Sequence, residues 1–268
     1  AIIAAPEGVH LLTEKVLSSG PSLIICPGSE ALACAPPGVK IIDSAEVFST
    51  SVDPVSEPVP VRAEDNAYII FTSGTTGIPK GVMIAYSAVN AFIDTMSELL
   101  CLTSEDRVLE TCELTFDVSV HNMFVTWCAG AALYVLPPTQ IMNAIKYVRT
   151  HALTVWNSVP SLVGMLRQIK ALAPGSMPSM RKALFAGESL TVGIVDSWRA
   201  AAPNSTVYDL YGPTEATVFC MLQIVGDPPL LTPGRDLIAI GKALPGCEAA
   251  VVYEKGNKVP DGTQGELA

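Results

Sequence analysis

The chain has 268 residues, 49% of them apolar, which is enough to bury a large core and too apolar for a disordered chain. Twenty-six acidic against 16 basic residues give a net charge of −10, a field that repels phosphate polymers and argues against sequence-independent nucleic-acid binding. The weakly polar stretch from Met123 to Pro138 is interrupted by Thr126 and Gly130 and falls short of the roughly 20 residues a membrane span requires, so no transmembrane helix is expected.

Short β-branched runs alternate with helix-length segments along the chain: LIICP (23–27), AYIIF (67–71), AALYVLP (131–137), LTVWNS (153–158) and KALFAG (182–187). That order predicts an α/β fold with mostly parallel, buried strands flanked by helices. Between the first strands and AYIIF lies STSVDPVSEPVPVRAEDN (49–66), whose prolines and acidic residues predict a loop or subdomain joint. Ser87 and Ser161 are the expected N-caps of two helices, each following a strand directly. The seven cysteines (Cys26, Cys34, Cys101, Cys112, Cys128, Cys220 and Cys247) are odd in number, never spaced as CxxC, and scattered through apolar runs. They read as buried thiols of a reducing compartment, the cytoplasm, rather than disulfides or metal ligands. Ala1 carries no initiator methionine or leader, and the final GELA stops within an apolar run, so both ends read as cuts through something longer.

The strongest local signal is AYIIFTSGTTGIPKG, residues 67–81. A strand opens into a loop whose Gly74, Gly77 and Gly81 let backbone approach oxyanions; Thr72, Ser73, Thr75 and Thr76 donate hydrogen bonds, and Lys80 adds charge. Glycine content alone would fit an ordinary turn equally well. No GxxxxGK[ST] or GxGxxG is present, which excludes a P-loop NTPase and a Rossmann dinucleotide enzyme. TSGTTGIPKG closely resembles the signature loop of the adenylate-forming superfamily, which includes peptide-synthetase adenylation domains, acyl-CoA ligases and luciferases. LTFDVSV (114–120), LFAGESL (184–190), VYDLYGPTEATV (207–218), IGKALPG (240–246) and GEL (265–267) resemble further family segments, in family order. The family usually has histidine where Tyr86 stands.

The resemblance implies roles for particular residues. The loop 72–77 with Lys80 embraces the β- and γ-phosphates of ATP, and Lys80 helps carry pyrophosphate away. Tyr211 stacks on adenine beside Gly212, Thr214 contacts the α-phosphate, and Glu215 binds Mg2+; Lys80, Thr214 and Glu215 form the catalytic set. Without the other motifs, YGPTE would read as a surface turn with a solvated glutamate. The backbone of Gly187 and Glu188 borders the adenine. Asp209 stands where the family commonly has asparagine, and a carboxylate accepts from the adenine amino group without donating to the ring.

Asp117 is a carboxylate in an apolar strand-to-helix context, where burial without a partner is costly. An internal cation or an N-cap role would explain it. In peptide-synthetase adenylation domains the matching aspartate holds the substrate ammonium, and the proline of YGPTE also favours that branch over CoA ligases. Carried over residue by residue, the side-chain pocket is Val118, His121, Asn157, Leu184, Ala186, Leu210, Val218 and Phe219, mainly apolar, with His121 and Asn157 offering hydrogen bonds without fixed charge, predicting a neutral, medium to large substrate side chain with room for polar atoms. Each of these residues would serve equally well as plain core, and a lone histidine is usually a satisfied one.

The implied reaction is ATP-dependent formation of aminoacyl-AMP, with later transfer to the phosphopantetheine thiol of a partner carrier protein. By the resemblance, residues 1–268 are part of the larger N-terminal subdomain, whose ribose-binding aspartate and C-terminal lid lysine lie beyond Ala268. The chain alone is therefore expected to be weakly active or inactive. An acyl- or aryl-CoA ligase and a non-catalytic nucleotide-binding relic of a larger synthetase are the competing readings.

Overall fold

The structure, a computed structural model, describes residues 2–3, 23–26, 38–49, 57, 59–72, 80–254, 256–260 and 262–268. These fall into two compact units: one of residues up to 91 with 112–120, the other of 92–111 with 121–268.

In the first unit, β1 (Ile2–Ile3), β2 (Leu23–Cys26) and β3 (Lys40–Asp43) form a parallel sheet in that order, followed by α1 (Ser44–Ser49). The described residues of the proline-containing stretch form no regular element between Ser49 and Asn66. A turn there is tied by Asp65, which accepts from the Arg62 backbone N–H at 2.9 Å and from its guanidinium at 2.8 Å. β4 (Asn66–Thr72) and β5 (Lys80–Ala85) pair with each other, and they do so antiparallel. The AYIIF strand thus departs from the parallel pattern, because residues 73–79 are too few for the crossover that parallel pairing needs.

Helix α2 (Tyr86–Leu100) follows β5. In the second unit, β6 (Arg107–Glu110) leads on to α3 (Val118–Cys128), a helix whose first turn lies in the other unit, and then to β7 (Ala132–Val135). After these come α4 (Ala144–His151), β8 (Val155–Ser158), α5 (Pro160–Gln168), β9 (Lys182–Ala186), α6 (Val192–Ala201) and β10 (Thr206–Tyr211). β11 (Met221–Ile224) and β12 (Lys242–Ala243) complete a seven-stranded sheet in the order β12-β11-β10-β9-β8-β6-β7. Its β7, β6, β8, β9 and β10 run parallel, while β11 and β12 add antiparallel at one edge. A small antiparallel pair, β13 (Val251–Val252) with β14 (Glu266–Leu267), ends the chain.

Alternation along the strands divides the sheet into two faces. Leu109, Trp156, Ala183, Phe185 and Val207 belong to the main core with Val195 and Trp198. There the Trp156 and Trp198 rings lie 5.0 Å apart, and Phe185 meets Trp198 edge-on at 5.5 Å. Both indole N–H groups are satisfied, by Ser158 Oγ and Ser205 Oγ. Where β6, β8 and β9 begin, buried Asp106 accepts from Arg181 Nη2 at 2.6 Å, Thr154 Oγ1 at 2.6 Å and Thr103 N at 2.9 Å. Burial alone would raise the Asp106 carboxyl, but these bonds outweigh it and hold it below its ordinary value.

Neither serine expected as an N-cap is one. α2 starts at Tyr86, whose N–H donates to Asp65 O, with Ser87 already helical. α5 starts at Pro160, which suits the first position because it has no N–H to leave unsatisfied, and Ser161 lies one residue further in. The thiols also differ from expectation: Cys101, Cys128 and Cys247 are exposed and Cys112 and Cys220 half-buried. Cys101 directly follows α2 and Cys128 closes α3, so both sit at helix ends. Cys34 lies outside the described residues. No helix among the described residues is long and apolar enough to cross a membrane.

Candidate active site

In an open parallel sheet, ligands gather beyond the carboxyl ends of the strands. Beyond β9 comes Gly187, at φ +82°, a conformation that favours glycine. Glu188 follows, and its carboxylate accepts from both Ser161 N and Ser161 Oγ at 2.9 Å. The Glu188 side chain therefore caps the first turn of α5, tying the loop after β9, whose backbone is expected near the adenine, to the helix after β8.

Beyond β10 the chain doubles back on itself. A Cβ on Gly212 would lie 2.5 Å from Val218 O and 2.6 Å from Phe219 Cα, so only glycine fits against the returning strand. Cys220 N donates to Tyr211 O across that turn. Between them Thr214–Ala216 form one 3-10 turn, after which Thr217 and Val218 both hold positive φ, +62° and +68°. Two consecutive β-branched residues in the left-handed region carry about 1–2 kcal/mol of strain each, the kind of conformation found at binding and switch segments. Tyr211 is 40% exposed. Glu215 is exposed and makes no ion pair among the described residues.

Of the predicted phosphate loop, Ser73, Gly74, Thr75, Thr76 and Gly77 lie outside the described residues. Its two flanks are described: Thr72 ends β4 directly opposite exposed Lys80, which opens β5. In the same unit Asp117 is buried, immediately before α3, and its carbonyl accepts from Val120 N. Burial and then the Asp117 charge push the Tyr68 hydroxyl well above its ordinary range. Val118 is half-buried.

Asp209, on β10, is buried between its ladder neighbours Phe185 and Gln223. Burial pushes its carboxyl up to about 7. Near neutral pH it thus divides between the carboxylate expected from the sequence and a protonated acid, which both donates and accepts.

The second unit brings several predicted side-chain residues together. Asn157, Leu184, Ala186 and Leu210 occupy one face of β8, β9 and β10, opposite the tryptophan core, through the register pairs Asn157 with Leu184 and Ala186 with Leu210. His121 is buried on α3, edge-on to Phe219 at 5.3 Å and to Phe92 at 5.9 Å. Burial pushes its imidazole down to about 4, with Asn122 opposing weakly, so the ring is neutral. Asn122 joins His121 to Asn157, and Thr111 Oγ1 donates to Asn157 O at 2.8 Å. Sequence reasoning missed Phe92 and Asn122. Phe92 lies in a helix remote along the chain, but the polar pair His121–Asn122 within an apolar helix was a readable signal. A separate surface hollow of about 370 Å3, lined by Gln140, Lys146, Tyr147 and His151 among others, includes none of the predicted residues.

Comparison with known proteins matches residues 14–268 to the AMP-binding enzyme family. The chain belongs to that family. It is 34% identical over 227 residues to D-alanine–D-alanyl carrier protein ligase of Lactiplantibacillus plantarum, covering 83% of this chain and 44% of that one. It is 33% identical over 213 residues to pyochelin synthetase PchF of Pseudomonas aeruginosa, covering 77% of this chain and 12% of the synthetase. The chain thus spans less than half the length of these relatives. Among solved structures it resembles the Vibrio cholerae adenylation domain AlmE in complex with glycyl-adenosine-5'-phosphate, with 30% identity, TM-score 0.72, and coverage of 95% of this chain and 50% of AlmE. The AMP-binding family assignment agrees with the α/β fold and with the order of the sequence signatures.

Proposed function

We propose that this AMP-binding chain serves an enzyme that activates an amino acid. The substrate carboxylate oxygen attacks the α-phosphorus of ATP, the bond to the β-phosphate oxygen breaks, and pyrophosphate leaves an aminoacyl-AMP. A carrier protein's phosphopantetheine thiol then takes the acyl group. The observation that carries the reading is Asp117, a carboxylate buried at the start of α3, a position suited to a substrate ammonium. The glycyl-adenylate in AlmE and the amino-acid ligase among the relatives support it.

In this reading Thr72, Lys80 and the loop between them receive the β- and γ-phosphates, Thr214 the α-phosphate, and Tyr211 and Gly187 the adenine. Catalysis of this kind is mainly positioning and charge neutralisation. Among the described residues no three acidic, imidazole or thiol groups cluster as a metal cage. In this reading exposed Glu215 would hold Mg2+. Mg2+ supplies neutralisation of phosphate charge.

Substrate-dependent exchange of labelled pyrophosphate into ATP, measured in the complete polypeptide that carries this chain across a panel of amino acids, tests the reading directly. Stimulation by one or a few amino acids is expected. Exchange with simple acids alone would place the protein among acyl-CoA ligases, and silence with every acid would leave a nucleotide-binding relic.

Asp209 gives a pH dependence. Protonated, it matches what an asparagine amide offers adenine; as pH rises through about 7 it loses its donor. ATP affinity is expected to fall about fivefold between pH 6 and 8.5, one hydrogen bond's worth, and Asp209→Asn to flatten that profile in calorimetric titrations. Stability follows the same sign. The raised carboxyl contributes fully below its ordinary value of 3.8, and the contribution is lost as pH rises through about 7, so Asp209→Asn is expected to raise Tm at pH 8.

A further inference from the structure

His121, Asn122 and Asn157 form a buried polar chain, exposed by 3%, 1% and 2%. Asn122 Oδ1 is its centre: it accepts from Asn157 Nδ2 and lies 3.0 Å from His121 Nδ1. Asn157 Nδ2 also approaches Nδ1, at 3.4 Å, but the shorter contact to an amide oxygen, which only accepts, assigns the imidazole proton to Nδ1 and leaves Nε2 a lone pair. Burial keeps the ring neutral, so no second proton fills that lone pair at pH 7. Asn157, having turned its NH2 toward Asn122, presents its carbonyl oxygen instead. Neither His121 Nε2 nor Asn157 Oδ1 has a hydrogen-bond partner among the described residues, and both are screened from solvent. The neighbouring rings of Phe92 and Phe219 supply no O–H or N–H. Asn122 Nδ2 is a third such atom, a donor that a hydroxyl or amide oxygen would also satisfy.

Two acceptors shut away from water without a donor are destabilising unless something else completes their bonding. Resting on the reading of this chain as part of an amino-acid-activating enzyme, we infer that the activated amino acid carries a neutral hydrogen-bond donor on its side chain, O–H or N–H. His121 Nε2 and Asn157 Oδ1 receive it, and Asn122 is the positioning residue that fixes both as acceptors. A site built to bond a substrate O–H or N–H rejects the analogue lacking it far more strongly than an apolar pocket rejects an added hydroxyl.

The test is pyrophosphate exchange in the complete polypeptide with shape-matched pairs: threonine against valine, glutamine against methionine, tyrosine against phenylalanine, tryptophan against benzothienylalanine. In the pair that is activated best, the donor-bearing member is expected to lead by at least ~30-fold in kcat/KM. A smaller lead, or an apolar winner, overturns the inference while leaving amino-acid activation standing. Silence with every amino acid overturns that reading and this inference together. Asn122→Leu, close in shape but without an acceptor, is expected to shrink the ratio at least ~10-fold, whereas Asn122→Asp, which keeps acceptor oxygens, retains it. A ratio unchanged in Asn122→Leu overturns the role given to Asn122. Because the ratio is taken within one preparation, a reduced folded fraction cancels.

Discussion

Asp117→Ala is expected to lower amino-acid-dependent pyrophosphate exchange by about 10^2–10^4-fold while ATP binding stays within about threefold. The magnitude follows from leaving a substrate ammonium in a buried site without its counter-charge, at about 3–5 kcal/mol. Asp117 also occupies the residue before α3, and an aspartate acting only as a cap contributes about 1 kcal/mol to stability. The two roles give opposite results. A capping role predicts a slightly lower Tm with exchange intact, and that outcome would remove the main support for an amino-acid substrate. Asp117→Asn sharpens the comparison, because asparagine caps as well as aspartate but carries no charge. It is expected to lose exchange without losing Tm.

Gly212→Ala is expected to cost about 2–4 kcal/mol of stability and most of the activity of the complete enzyme. The added methyl would press on Val218 O, Phe219 Cα and Cys220 N, all backbone atoms with no rotamer to retreat into. Relief requires the turn beyond β10 to open, displacing Tyr211, Thr214, Glu215 and Phe219 as a group. Gly164→Ala provides the control: a methyl there meets nothing within 4 Å, in the interior of α5. That change is expected to add about 0.5–1 kcal/mol through helix propensity. Urea unfolding of both variants separates the steric effect from loss of glycine as such, and equal stabilities would refute the tight-turn account.

The strands beneath the site were readable because their signal is local. LTVWNS and KALFAG are short runs bounded by turns, and β8 and β9 form within them. What escaped depends on partners distant in sequence. Ser161 has the chemistry of a cap, yet Pro160 starts the helix and Glu188, 27 residues on, takes the serine's donors. Asn122 gains its meaning only from Asn157, 35 residues away, and Phe92 only from rings on α3 and beyond β10. The position of Asp209 in the VYDLYGPTEATV motif is legible in the sequence, but its raised pKa reflects burial, which the sequence does not display.

The two-sidedness of β8 and β9 has a consequence for divergence. Trp156, Ala183 and Phe185 keep the protein folded, while Asn157, Leu184 and Ala186, each only one residue away, face the opposite layer. Substitutions at every second position along a single strand therefore meet different surroundings. In the proposed amino-acid-activating reading, changes at these alternate sites would alter the substrate while the residues in between hold the fold.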